Sequence, residues 1–279
     1  MNQHGGQLRQ EPSSGLIILS AGMGSAGSGW YFNLTNDLLI ASGNRDVRQL
    51  RDESGLGDIL FTKNCANDLR RKRDVERLLA VAAEGHTFVV KSHKPPSRRF
   101  RKLQRDGRAK ATYIYRDPRD VVVSVFERGA ESRSRGRRSA FARFRTIGQV
   151  ILWVRVRLFS VYSAWVRCPG THIVRFEDLR ARPLQEMKRL GAFLEINTDE
   201  STLQSIIDAY AGEEAQKKTG SHYRPGAGER RRDKLSPRQL SLCNWLFARH
   251  LRRMGYEAVE TGASGAGRLQ RGARVNKGD

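Results

Sequence analysis

The sequence is poor in cysteine, in acidic side chains and in unbroken apolar runs, and each shortage excludes something. Its three cysteines, Cys65, Cys168 and Cys243, are far apart and odd in number. No disulfide framework or metal-ligand spacing can be built from them, and a reducing compartment is expected. No stretch approaches the roughly 20 apolar residues of a membrane span; the most apolar helical stretch, Val150 to Val166, is interrupted by Arg155 and Arg157. Met1 to Ser14 is polar and lacks the apolar run of a secretion signal. A soluble, cytoplasmic protein is therefore the expectation. The scarcity of acids, 29 Asp and Glu against 51 Lys and Arg, leaves a formal net charge of +22. Such a field favours anionic partners: a phosphorylated cofactor, a polyanionic sugar, nucleic acid or an anionic membrane. An arginine-rich solvated face gives the same total, so charge alone selects no function.

What is present is an alternation of short apolar runs with helical periodicity. At 279 residues the chain suits one large α/β domain, expected over 15–260 with tails at 1–14 and 261–279. Gly15 to Ser20 has the continuous apolar character of a buried parallel strand, as do Thr87 to Lys91, Ala111 to Tyr115 and Thr171 to Phe176. Helices are expected at Trp30 to Leu39, Asp74 to Ala83, Arg119 to Arg128, Ile147 to Val166, Pro183 to Leu194, Asp199 to Tyr210 and Gln239 to Met254. Asp117 with Pro118 forms the start signal of the third of these, and Ser236 with Pro237 that of the last. Between Arg128 and Arg145 stand Arg133, Arg135, Arg137, Arg138 and Arg143 against one acid, Glu131. This segment is expected to be a mobile basic stretch, either solvated or a flap over an anionic substrate.

The turn after the first strand, Ala21 to Gly29, is glycine-rich and leads into a helix, which offers backbone N–H groups and a helix dipole to a phosphate. Gly22-Met23-Gly24-Ser25-Ala26-Gly27 fits the dinucleotide fingerprint in letters, but Asn44-Arg45-Asp46-Val47 is no buried second strand ending in an acid. The spacing from Gly22 to Gly27 fits an NTPase phosphate loop, with Ser28 where the lysine should stand. A ligand-free tight turn is the plain alternative.

Three further strand ends carry chemistry. Val89-Val90-Lys91-Ser92-His93 places a base and a cation after the second strand. Tyr113-Ile114-Tyr115-Arg116-Asp117-Pro118-Arg119-Asp120-Val121-Val122-Val123-Ser124 sets an arginine at the third strand's carboxyl end and a serine about two helical turns later. Phe176-Glu177-Asp178-Leu179 follows the fourth, where the two acids fit a helix cap.

Taken in order, these segments resemble the PAPS-dependent sulfotransferase family, PAPS being 3′-phosphoadenosine 5′-phosphosulfate. Gly27, Ser28 and Trp30 match the family's Pro-Lys-Ser-Gly-Thr/Ser-Thr-Trp loop, while Ser25, Ala26 and Gly29 replace its lysine, serine and second threonine. The resemblance implies a P-loop-like α/β fold, a central parallel sheet flanked by helices in three layers. It implies transfer of a sulfuryl group from PAPS to a hydroxyl or amine, without a metal. Gly27, Ser28, Gly29 and Trp30 are expected at the 5′-phosphosulfate, and Arg116 and Ser124 at the 3′-phosphate. His93 is expected as general base, and Lys91 as the cation on the transferring group. Tyr223 to Arg231 resembles the family's Arg-x-Gly-x-x-Gly loop shortened by one residue, with Arg224 and Gly226 as nucleotide contacts. For the missing loop lysine, Lys91 or Lys94 is the expected substitute. The basic segment fits an anionic acceptor such as a carbohydrate, and nucleic acid is not an expected partner for want of a recognition motif. The rivals are a weak or inactive homologue that binds the nucleotide, and a basic nucleic-acid-binding protein.

Overall fold

Four apolar runs of five to seven residues become the strands of one sheet. They are β1 (Ile17–Gly22), β2 (Phe88–Ser92), β3 (Ala109–Tyr115) and β4 (Thr171–Arg175). The computed structural model describes residues 15–210 and 231–256; the expected tails, Arg224 and Gly226 lie outside these. Every residue of β1 and β2 is buried, as both-sided cover requires. All pairings are parallel, in the order β2-β1-β3-β4. The central parallel sheet flanked by helices is the fold expected from the sequence.

The helices are α1 (Ser28–Ala41), α2 (Val47–Glu53), α3 (Lys72–Ala83), α4 (Arg98–Arg105), α5 (Pro118–Ser134), α6 (Ile147–Trp153), α7 (Phe159–Val166), α8 (Phe176–Ala181), α9 (Pro183–Leu194), α10 (Glu200–Asp208) and α11 (Pro237–Arg253). A π-helical stretch, Val154–Leu158, joins α6 to α7, and a 3-10 turn, Arg231–Lys234, precedes α11. Among the described residues no helix is long and apolar enough to cross a membrane.

Four details differ from the sequence reading. α5 runs to Ser134, past the expected stop at Arg128: arginine is a good helix former, and the helix ends only at Gly136, whose φ is 59°. Residues after that end pack back on it, with Gly129 against the Phe141 carbonyl and Arg133 Nη1 donating to the Ala142 carbonyl at 3.1 Å. The expected single helix Ile147 to Val166 is interrupted by the π-helical stretch, where Arg155 and Arg157 stand. β4 stops at Arg175, so Phe176 opens a helix instead of ending a strand. Finally, Glu177 and Asp178 do not cap α8. Glu177 accepts from the Asp117 backbone N–H at 3.2 Å and the Tyr256 hydroxyl at 2.6 Å, and Asp178 accepts from Arg182 at 3.2 Å.

Candidate active site

The register of the sheet decides what meets. Ser92 lies level with Ala21, Gly22 with Ile114, and Tyr115 with Arg175, so all four strands end along one edge. The residues that follow are His93, the glycine turn, Arg116 and Phe176, side by side across the carboxyl edge at about 4.8 Å per strand. The strand order reverses between β1 and β3, where open α/β sheets hold ligands.

The glycine turn is shaped by its neighbours. Gly27 has φ 76° as the residue before α1, and a Cβ there would fall 2.6 Å from two carbons of the Phe176 ring, so only glycine fits. Ser25 also has positive φ, 63°. The first intrahelical bond runs from the Tyr31 N–H to the Gly27 carbonyl at 3.0 Å, which leaves the preceding amides of Ser28, Gly29 and Trp30 outside the helix ladder. Trp30 and Ser28 are buried, and the indole meets Phe176 edge-on with centroids 6.4 Å apart.

His93 follows β2. Its Nδ1 sits 2.8 Å from the Gly22 carbonyl, which can only accept, so the proton is on Nδ1 and Nε2 keeps its lone pair. The imidazole is exposed by area yet set among protein atoms. Those surroundings and the nearby Lys91 charge together hold its pKa well below the ordinary value. Lys91 is buried, and its ammonium has no carboxylate partner among the described residues. Burial, with a smaller effect of Arg128, brings its pKa down to about 8. A buried cation without a counter-charge marks a place for an anion. Lys94, the other expected substitute for the loop lysine, is exposed, and its described bonds are made by its backbone, to Ser92 and Trp165.

Arg116 follows β3 and is buried. Its guanidinium carbon lies 4.7 Å from the Phe176 ring centroid, and its Nη2 donates to Asp120 Oδ2 at 3.2 Å. Its Nε is buried without a partner, a donor left over for a ligand. Ser124, also buried, is one helical turn beyond Asp120 on the same face of α5. The start of α5 is fixed by Asp117, whose carboxylate takes Arg119 Nη2 at 2.8 Å and Nε at 3.0 Å. Burial works against that charge, and the Arg119 bonds outweigh it, holding the carboxyl below its usual range. Arg232 closes the network, its backbone N–H donating to Asp120 at 2.7 Å and its guanidinium to Asp117. The chain therefore returns to the Arg116 locus directly after residues 211–230.

Sequence reasoning missed Arg128, whose Nη1 donates to Ser25 Oγ at 3.3 Å, and Asp120, which holds Arg116. Both fall at four-residue intervals from Ser124 inside the helix expected over Arg119 to Arg128, so their common face was legible while their partners Arg116 and Ser25 were not.

Residues 61–255 match the sulfotransferase domain family, and the chain belongs to that family. Retinol dehydratase, solved with androsterone and the inactive cofactor PAP, is similar at TM-score 0.54 and 14% identity, over 86% of this chain and 83% of its own. Mouse sulfotransferase SULT7A1, complexed with PAP, is similar at TM-score 0.55 and 14% identity, over 86% of this chain and 85% of its own. Likeness at such identity is likeness of fold. No curated protein matches the chain in sequence.

Proposed function

We propose that the protein is a sulfotransferase that uses PAPS as donor and a hydroxyl or amine as acceptor, within a single domain spanning 15–260. The observation that carries this reading is the alignment on one sheet edge of the glycine turn, the Lys91–His93 pair, Arg116 and Phe176. The residues fit the nucleotide: Lys91 is a buried cation lacking a carboxylate, and Arg116 has an unused buried donor. Gly27, Ser28, Gly29 and Trp30 would hold the 5′-phosphosulfate at the helix start. Arg116 with Ser124 would hold the 3′-phosphate, joined by Arg224 and Gly226 from the segment that precedes Arg232.

When bound, PAPS supplies the sulfuryl group: sulfur bonds the acceptor oxygen as its bond to the 5′-phosphate breaks, and the electron pair stays on that phosphate. His93 takes the acceptor's proton on Nε2, while its Nδ1–H stays anchored on Gly22 and fixes the tautomer. Lys91 sits beside His93 and neutralises negative charge during transfer. Fixed cations and amides do this without a metal.

The arginines of 128–145 suit an acceptor that is itself anionic, such as a sulfated or acidic carbohydrate. The three buried, unpaired cysteines fit a reducing, cytoplasmic setting. Ser25 in place of the loop lysine favours one rival, a homologue that binds nucleotide and transfers weakly. A thermal shift with adenosine 3′,5′-bisphosphate against AMP and NAD tests the cofactor: selective stabilisation by the bisphosphate, lost in Arg116→Ala, is expected. Equal response to all three would overturn the reading. Transfer of radiolabelled sulfate to a panel of alcohols, amines and acidic sugars then separates an active enzyme from the rival.

A further inference from the structure

The glycine turn lacks the lysine its relatives carry, and the fold brings another cation to the same place from a distant segment. Arg128 Nη1 donates to Ser25 Oγ at 3.3 Å, across 103 residues of sequence. Its guanidinium carbon stands 5.4 Å from the Phe141 ring centroid, and Phe141 Cζ lies 3.9 Å from where a Cβ on Gly24 would be. The aromatic ring thus lies against both the arginine and the turn. The charge is felt inside the site, since Arg128 contributes to lowering the pKa of both Lys91 and His93.

We infer that Arg128 replaces the missing loop lysine and contacts the 5′-phosphate end of the bound nucleotide. This rests on the sulfotransferase reading above. Asp120, Ser124 and Arg128 follow one another at four-residue steps along one face of α5, about 12 Å at 1.5 Å per residue. At one end of that face Asp120 holds Arg116, and at the other Arg128 reaches Ser25. One helix thereby serves both phosphate ends, whereas the family's loop lysine reaches the 5′ end from the glycine turn. Arginine also keeps its charge at every accessible pH and offers a planar fork to phosphate oxygens, unlike the Lys91 ammonium, which is lost near pH 8.

Calorimetric titration with two probes separates the ends: adenosine 3′,5′-bisphosphate, and 3′-AMP, which lacks the 5′-phosphate. The full chain is expected to prefer the bisphosphate. Arg128→Ala should cut bisphosphate affinity by about ten- to hundredfold, the size of one charge-assisted contact, and leave 3′-AMP binding unchanged. Arg128→Gln removes the charge while keeping more of the side-chain packing than alanine does, and reads the same contrast where the alanine variant does not fold. Adding Ser25→Lys to Arg128→Ala should restore the preference by returning a cation to the turn. If Arg128→Ala and Arg128→Gln keep the wild-type preference while Arg116→Ala weakens both probes, the role of Arg128 is overturned and the nucleotide reading stands. If the unaltered chain does not distinguish the probes, the nucleotide reading itself is overturned.

Discussion

Arg116 packs over the ring of Phe176, its guanidinium carbon 4.7 Å from the centroid, while two carbons on that ring's edge fill the space a Gly27 side chain would need. The arginine after β3 is thereby positioned by the residue after β4, against the turn after β1. The two elements proposed to bind the nucleotide's phosphates, read from separate segments, are parts of one packed unit.

That contact makes Gly27→Ala informative. Alanine at φ 76° is strained, and its Cβ would lie 2.6 Å from the Phe176 ring, so a loss of roughly 1–3 kcal/mol is expected in denaturant unfolding. Phe176→Ala should relieve the steric part, so the double variant loses less than the sum of the singles. Strict additivity would show that the ring and the glycine do not constrain each other.

On the proposed mechanism the state of His93 sets the acidic side of activity. Its surroundings first, and Lys91 second, lower its pKa to about 4, so the neutral base persists well below pH 6. On the alkaline side the Lys91 charge is lost near 8. kcat/KM should therefore be flat from about pH 5 to 7 and fall above 8, and His93→Ala should lose about 10²–10⁴ in rate. An acidic limb near 6.5 would contradict the assigned environment of the ring.

Lys91 is costly to the fold. The folded chain releases its proton near 8 and the unfolded chain near 10.5. Between those values the unfolded state binds more protons, so the Lys91 contribution to stability rises with pH. Lys91→Met should raise stability by roughly 1–3 kcal/mol at pH 7 and abolish transfer, with the gain shrinking towards pH 10. A variant less stable at pH 7, by thermal unfolding, would mean the ammonium has a stabilising partner.

Asp117 should be among the most sensitive positions outside the chemistry. Its carboxylate holds the almost fully buried Arg119 and also takes Arg232. Asp117→Ala strands Arg119 without its counter-charge, and a loss of about 3–5 kcal/mol is expected. Asp117→Asn, which keeps part of the hydrogen bonding, should lose less. Equal losses for the two, measured by urea unfolding, would show that the charge alone, and not the hydrogen bonding that asparagine retains, is what Asp117 supplies.

Local pattern in the chain determined the four strands to within a residue or two at their ends, and most of the helices. Apolar runs bounded by Gly, His, Arg-Asp-Pro and Phe-Glu-Asp suffice for that, because strand burial and helix starts are governed by neighbours a few residues away. The placement of Lys91, Ser92 and His93 at the end of β2, and of Arg116 and Ser124 about the start of α5, was legible for this reason. Only the tertiary structure decided that Arg128 meets Ser25, that Phe176 supports Arg116 and forbids a side chain at Gly27, and that Glu177 binds Tyr256 and the Asp117 backbone. These contacts depend on the β2-β1-β3-β4 order. Lateral strand order and long-range packing are set by how all the apolar faces are covered together, and no local periodicity encodes them.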